Sequence, residues 1–438
     1  MHSIGSGNRV ASSARKLPNK GCRTGAACRK AELMTEITIK HLGMQGNGVA
    51  DGPLYVPLTL PGELVEGTVQ GTQLIDVKIL RPSDRRVAPP CRHFKSCGGC
   101  QVQHADDAFV ADWKVEMVRR ALSAHELDAA FRPIVTSPPQ SRRRAGFAAR
   151  RTKKGAMAGF HGRASGTIIA IPDCKLLEPE TLKGVKIAEA LALIGASRKA
   201  ALSVMVTATT SGLDVSVTQG KPLDGPLRQH LAQTCDQLQL ARLSWDGEVI
   251  AMRNPPVHVL EGAEITPPPG AFLQATAHGE AALTEAVREI TKGASRIVDL
   301  FAGCGTFTLP LARNAEVLAF EGDAAMVHAL DQGWRHGRDL KNVTSVARDL
   351  FRRPLMPDEM IKAQAVVLDP PRAGAEAQVA ELAKMSMPRI AYVSCNPVTF
   401  ARDAQVLVTA GYTLDWVQVV DQFRWSTHVE LAASFSRA

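Results

Sequence analysis

Four short apolar runs in the last third of the chain each end on or beside an acid. No other feature of the sequence constrains the fold as much. Arg296-Ile297-Val298-Asp299-Leu300 contains Asp299, Val317-Leu318-Ala319-Phe320 runs into Glu321, the run 343–347 stops near Asp349, and Ala365-Val366-Val367-Leu368 runs into Asp369. A fifth run, Arg389-Ile390-Ala391-Tyr392-Val393, ends in Ser394-Cys395-Asn396-Pro397. Continuous apolar runs of this length, closed by turn residues and alternating with helical patterns such as 281–291, read as strands buried on both faces of a parallel sheet. In an open sheet of that kind ligands bind outside the carboxyl ends of the strands. Asp369 and Cys395 are therefore expected to look into one cleft, although an unpaired cysteine there also fits as a small buried hydrophobe.

Phe301-Ala302-Gly303-Cys304-Gly305-Thr306-Phe307 reads as a Gly-rich turn running into a helix, where backbone N–H groups can approach a ligand. Its spacing is not the G-x-G-x-x-G dinucleotide pattern. Acids at four successive strand tips suit a cationic, ribose-bearing ligand, with Glu321 placed for ribose hydroxyls. S-adenosyl-L-methionine fits that description.

A chain of 438 residues has room for two to four domains. No apolar run approaches membrane-spanning length, so a soluble, cytoplasmic protein without membrane contact is expected. The net charge of +9 is unevenly placed: residues 1–34 carry +6 and residues 141–175 carry +8, which leaves the rest at −5. Residues 1–33 have no hydrophobic periodicity and read as a disordered basic extension. They are taken as a mis-assigned stretch before a start at Met34 in preference to an organelle transit peptide. Residues 34–88 alternate between short β-type runs and Gly or Pro-Gly turns, the pattern of a small β-barrel, which serves either as a single-stranded nucleic acid platform or as a structural cap.

Residues 89–262 read as a mixed central domain. Cys91, Cys97 and Cys100, the last two bracketing Gly98-Gly99, can wrap a metal, and Cys174, at a turn after a strand-like run, is the preferred fourth ligand over Cys235. Four thiolates serve zinc and an iron–sulfur cluster alike, and spacing does not choose between them. The stretch 104–127 has helical period, with Val110, Trp113, Met117, Val118, Ala121 and Leu122 facing a core, and is a candidate to dock on the catalytic domain. Arg142-Arg143-Arg144 and Arg150-Arg151-Thr152-Lys153-Lys154 flank a predicted hairpin poor in acids, which suits a polyanion better than a merely solvated face.

Residues 263–438 carry the motifs of a known family. Phe272-Leu273-Gln274, the stretch from Asp299 to Phe307, Asp369-Pro370-Pro371-Arg372-Ala373-Gly374 and Ser394-Cys395-Asn396-Pro397 resemble the motif set of the RNA 5-methyluridine methyltransferases, in particular the iron–sulfur-containing 23S rRNA members. The resemblance runs from about residue 35 to 438. It implies a Rossmann-like class I methyltransferase domain of α/β class, and the amino-terminal barrel is similar to the family's TRAM domain. Cys395 is implied as the nucleophile that adds to uracil C6 and Glu430 as the base that removes the C5 proton. Gln274, Phe301, Thr306, Glu321, Asp349 and Asp369 are implied to bind S-adenosyl-L-methionine, and Cys91, Cys97, Cys100 and Cys174 a 4Fe–4S cluster. RNA is the implied partner, ribosomal RNA over tRNA, and a monomer is expected. Asp421-Gln422-Phe423-Arg424-Trp425 departs from the family, which usually has a proline after the phenylalanine. His428 and Asp421 stay open as alternative bases. An N-methyltransferase reading of Asp369-Pro370-Pro371 would leave Cys395 idle, and a purely RNA-binding reading would leave both Cys395 and Glu430 idle.

Overall fold

Five parallel strands form the heart of the carboxyl-terminal half in the computed structural model, which describes residues 34–197 and 199–437. Side by side they run Val343–Ala347, Glu316–Glu321, Arg296–Leu300, Ala365–Leu368 and Arg389–Ser394. Glu430–Ser436 then pairs antiparallel to Arg389–Ser394, and Thr413–Asp421 pairs antiparallel outside it. Ala365–Leu368 is buried at every position and Arg389–Ser394 at all but its first, so these strands show no polar alternation. Both faces are covered, which is why the apolar runs could be read as strands. The order runs outward in both directions from Arg296–Leu300 and Ala365–Leu368. That reversal opens a crevice at their carboxyl ends.

The edge of this sheet is closed by a distant part of the chain. Ala130–Phe131 and Val135–Thr136 add in parallel to Thr413–Asp421. The helix Asp107–Ser123 buries Val118 and Leu122 in the core that holds Leu300, Tyr392 and Phe400. Its Val110, Trp113 and Met117 pack instead with Leu42 and Leu60 of the amino-terminal region. The helix therefore joins two bodies, and residues 107–136 belong physically with the catalytic sheet. Ala121 is only partly buried, whereas Lys114 on the same face is completely enclosed.

Residues 34–81 form a six-stranded sheet around a small core of Ile39, Val56, Val65 and Leu74. The central region is a seven-stranded sheet backed by the helices Pro179–Gly195 and Gly225–Gln237. Its strands Arg144–Thr152 and Gly155–His161 are paired antiparallel, as the basic stretch suggested. The expected extension 1–33 lies outside the described residues.

Candidate active site

The two polar tips that the sequence placed in one cleft are laced together. Asn396 caps the helix Pro397–Thr409, with its Oδ1 accepting from the N–H of Val398, while its Nδ2 donates to the Arg372 carbonyl at 2.9 Å. Thr399 Oγ1 donates to the same carbonyl at 3.2 Å. The Asp369-Pro370-Pro371-Arg372 loop thus lies against the Cys395 turn. Cys395 is half-buried, and burial first, then Glu430 and Asp369, pushes its thiol up to about 11, with Arg372 opposing. A helix N-terminus favours a thiolate by only about 0.3–1 kcal/mol, less than one pKa unit, so it does not overturn that shift. In the free protein Cys395 is a thiol.

Glu430 opens the strand Glu430–Ser436 and is buried, and burial together with Asp369 raises its carboxyl to about 8. A carboxylate of ordinary pKa is a feeble base at neutral pH, whereas one raised this far is matched to the task. The competing bases are placed differently. Asp421 Oδ1 accepts from Lys114 Nζ at 2.6 Å and from the N–H of Phe423 at 3.0 Å, so it is engaged in a buried ion pair. His428 is exposed, precedes the strand, and packs edge-on to Phe423. Although the residue as a whole is exposed, its ring is partly shielded against Phe423, and that desolvation, with nearby Arg372, Lys114 and Arg142, lowers its pKa and keeps it neutral.

Lys114 was not foreseen as part of this site. Its three ammonium protons go to Asp421, to the His428 carbonyl at 2.8 Å and to the Phe423 carbonyl at 3.1 Å. Removing one partner from such a buried pair costs about 3–5 kcal/mol. The signal was present in the sequence: a lysine interrupts the apolar stripe between Trp113 and Met117. The missing family proline is replaced by other anchors. Arg424 donates to the Ser137 carbonyl at 3.1 Å and pairs with Asp107, and the Trp425 carbonyl accepts from the N–H groups of Gln101 and Val102.

The acids of the crevice lie on Arg296–Leu300 and its neighbours. Asp299 is fully buried; one oxygen accepts from Thr308 Oγ1 at 2.5 Å and the other has no partner. Burial, relieved in part by Thr308 and reinforced by Glu321, lifts it to about 7. Asp369 reaches about 7 by burial, then by Asp299 and Glu321. Carboxyls crowded so that each raises the next favour a cation between them. Glu321 accepts from the N–H groups of Gly303 and Asp323, which ties the Gly-rich turn to the strand tip. Phe301 is held at φ 64, uncommon for a bulky residue, and its ring meets Phe351 at 5.5 Å. Thr306 is half-buried in the same turn. The helix expected after this turn is a single turn, Thr308–Leu311, so it supplies no extended dipole. Asp349 Oδ1 accepts from the N–H groups of Phe351 and Arg352, a turn-capping arrangement. Gln274 is buried, and its Oε1 accepts from Gln422 Nε2 at 2.5 Å.

The arginine triplet needs correction. Arg143 is buried, pairs with Glu280 at 2.6 Å and donates to the Gln274 carbonyl, so it braces the crevice and does not face a polyanion. Arg142 and Arg144 are half-buried and donate to the carbonyls of Arg144 and Gly270. The cations left free for a large ligand are at the hairpin tip, where Arg150, Arg151, Lys153 and Lys154 are exposed.

Cys91, Cys97, Cys100 and Cys174 line one small cavity with Phe94, Gln103 and Phe160. Burial, with Cys174, Cys97 and Cys91 adding, raises the Cys100 thiol to about 12. Cys235 lies elsewhere, buried against the carbonyls of Leu240 and Ala251. Gly98 is required because a Cβ there would stand 2.8 Å from the His161 carbonyl, and one on Gly99 would crowd the Phe160 ring at 3.1 Å. Among the described residues no three or more His, Cys, Asp or Glu converge as a site for a single metal ion.

Residues 266–438 match the family model described as tRNA (uracil-5-)-methyltransferase. An uncharacterized RNA methyltransferase of Brucella suis is 42% identical over 92% of this chain and 98% of its own length. The 23S rRNA (uracil(1939)-C(5))-methyltransferase RlmD of Vibrio cholerae is 31% identical over 91% of this chain and 95% of its own. Among solved structures, the tRNA (uracil-54, C5)-methyltransferase of Pyrococcus abyssi, in complex with S-adenosyl-L-homocysteine, has a TM-score of 0.70 at 22% identity, covering 91% of this chain and 99% of that one. At that identity the likeness bears on the fold.

Proposed function

The chain belongs to the RNA (uracil-5-)-methyltransferase family, and on that premise we propose that it methylates uracil C5 in 23S ribosomal RNA, with Cys395 as nucleophile and Glu430 as base. The observation that carries the reading is a turn cysteine stitched to an acid-tipped strand, beside a buried carboxyl raised to about 8.

Uracil C5 is too weak a nucleophile to take a methyl group unaided. Cys395 adds through sulfur to C6, and the ring becomes an enolate with electron density at C5. S-adenosyl-L-methionine, bound near Asp299, Glu321 and Asp369, supplies the methyl group from a sulfonium, whose positive charge the crowded carboxyls suit. Gln274, Phe301, Thr306 and Asp349 complete its pocket. Glu430 then removes the C5 proton, the C5–C6 double bond re-forms, and the Cys395 sulfur is expelled as thiolate. Cys395 must lose its own proton first, and its raised pKa makes that the step most helped by a cation in the crevice. RNA tritiated at uracil C5 is expected to release tritium when incubated with enzyme and cofactor. Methyl incorporation without tritium release would reject C5 as the target.

Ribosomal RNA is favoured by the likeness to the Vibrio cholerae enzyme across nearly the whole chain, and the six-stranded sheet at 34–81 is read as a TRAM-type RNA platform. The four-cysteine cavity is read as the site of a 4Fe–4S cluster, because such a cluster takes one thiolate on each iron and Cys91, Cys97, Cys100 and Cys174 line one cavity. When bound, the cluster would cross-link the segments bearing Cys91, Cys97, Cys100 and Cys174, and no step of methyl transfer passes through it. A monomer acting in the cytoplasm is the simplest setting for this activity.

The hairpin tip is read as a phosphate contact. Neutralising Arg150, Arg151, Lys153 and Lys154 together is expected to reduce the slope of log affinity against log salt by up to about 3, since each phosphate contact on a single strand contributes about 0.7. Cofactor affinity should not change. An unaltered salt slope would make the tip an ordinary solvated surface.

A further inference from the structure

Gln422 is buried between the two halves of the proposed site. Its Oε1 accepts from the N–H of Ala275 at 2.8 Å and of Thr276 at 3.4 Å. Backbone N–H groups can only donate, so the amide orientation is fixed: Nε2 must point the other way. There it donates to Gln274 Oε1 at 2.5 Å and to Glu430 Oε2. Both protons of the amide are used, one on the segment implied to hold the cofactor and one on the base.

Two further features keep the amide in place. Lys114 grips Asp421, the residue just before it. Gly279, in the first turn of the helix Ala277–Ile290, leaves room for it, since a Cβ there would stand 2.7 Å from Gln422 Cβ, closer than real Cβ atoms come. We propose that Gln422 is a positioning residue that couples the 274–276 segment to the Glu430 carboxylate, so that order in the cofactor pocket sets the aim of the base. The inference rests on Glu430 being that base.

The groups facing Glu430 are Asp369, Cys395 and Gln422, and of these only Gln422 favours its charged form. Removing that donor favours the protonated carboxyl, so the pH limb governing proton removal should move to higher pH. Gln422→Glu keeps an acceptor for Ala275 and Thr276 but, when ionised, has no donor and adds a like charge that also favours protonated Glu430. Gln422→Leu removes both, and Gly279→Ala displaces the side chain without altering it.

The test is a chase of the covalent protein–RNA adduct on transcribed 23S rRNA across pH, with S-adenosyl-L-homocysteine affinity measured in parallel. Gln422→Glu and Gly279→Ala are each expected to resolve the adduct about tenfold more slowly at neutral pH, the equivalent of one pH unit. Gln422→Leu should in addition weaken S-adenosyl-L-homocysteine binding severalfold. Normal adduct resolution with an unshifted limb in a folded Gln422→Glu enzyme overturns the coupling. Glu430→Gln is run alongside: if it traps no adduct, the base assignment has failed, and this inference falls with it.

Discussion

Cys395→Ala is expected to abolish both methyl transfer and any covalent protein–RNA adduct, whereas Glu430→Gln is expected to accumulate the adduct. On the proposed mechanism the two residues serve different halves of the reaction. Forming the enolate needs only the sulfur nucleophile, and without it uracil C5 stays inert at any concentration of cofactor. Resolving the methylated adduct needs the C5 proton removed, and a neutral amide at Glu430 cannot accept it. Glu430→Gln should therefore add to RNA, methylate it, and stall with a slow band on a denaturing gel, turning over at least about 100-fold more slowly than wild type. The placement of the neighbours sharpens the test. Asp421 is committed to Lys114, and losing its charge would break the clamp on the loop without exposing a base. His428 is neutral and exposed. Normal turnover by Glu430→Gln, with adduct trapped instead by His428→Ala, would move the assignment to the histidine.

What could be read from the chain beforehand was whatever is encoded locally. The strands Arg296–Leu300, Ala365–Leu368 and Arg389–Ser394 were legible because a segment buried on both faces shows as an unbroken apolar run. Their order was legible only through the resemblance. The crevice acids could be listed because each stands at the end of such a run. The contacts that finish the site lie between residues far apart in sequence, and no local pattern reports them. Arg143 was counted among surface cations, since its neighbours are arginines and its partner Glu280 lies more than a hundred positions away. The pairing of Ala130–Phe131 onto Thr413–Asp421 spans a still longer interval. Lys114 and Gln422 share a lesson: a polar residue inside an apolar stripe, or beside a motif that departs from its family, has its partner elsewhere in the fold. Asn396 shows the opposite case, for a capping Asn before Pro is a local signal and the structure uses it as such.

The other large effect expected is on colour. Protein purified without oxygen should be brown, with visible absorption bleached by dithionite and four irons per chain, and Cys174→Ser should lose that absorption while Cys235→Ser keeps it. Serine preserves the size of either side chain but replaces a soft thiolate by a hard, poorly acidic hydroxyl, which iron in a sulfide cluster does not readily take. At Cys235 the change lies outside the cavity, where a hydroxyl can donate to the carbonyls of Leu240 and Ala251. At Cys174 it removes one of the four thiols that line the cavity and leaves three ligands for a cluster that takes four. The loss should spread beyond the cavity. Trp425 packs in the same core as Cys97, Cys100 and Cys174, and its carbonyl is tied to Gln101 and Val102 directly after Cys100. Cys174→Ser is therefore expected to increase protease cleavage within the loop 421–428 as well as bleach the protein. Stoichiometric zinc and no iron after anaerobic purification would replace the cluster with a single ion. Such an ion would take the same four thiolates at about 2.3 Å.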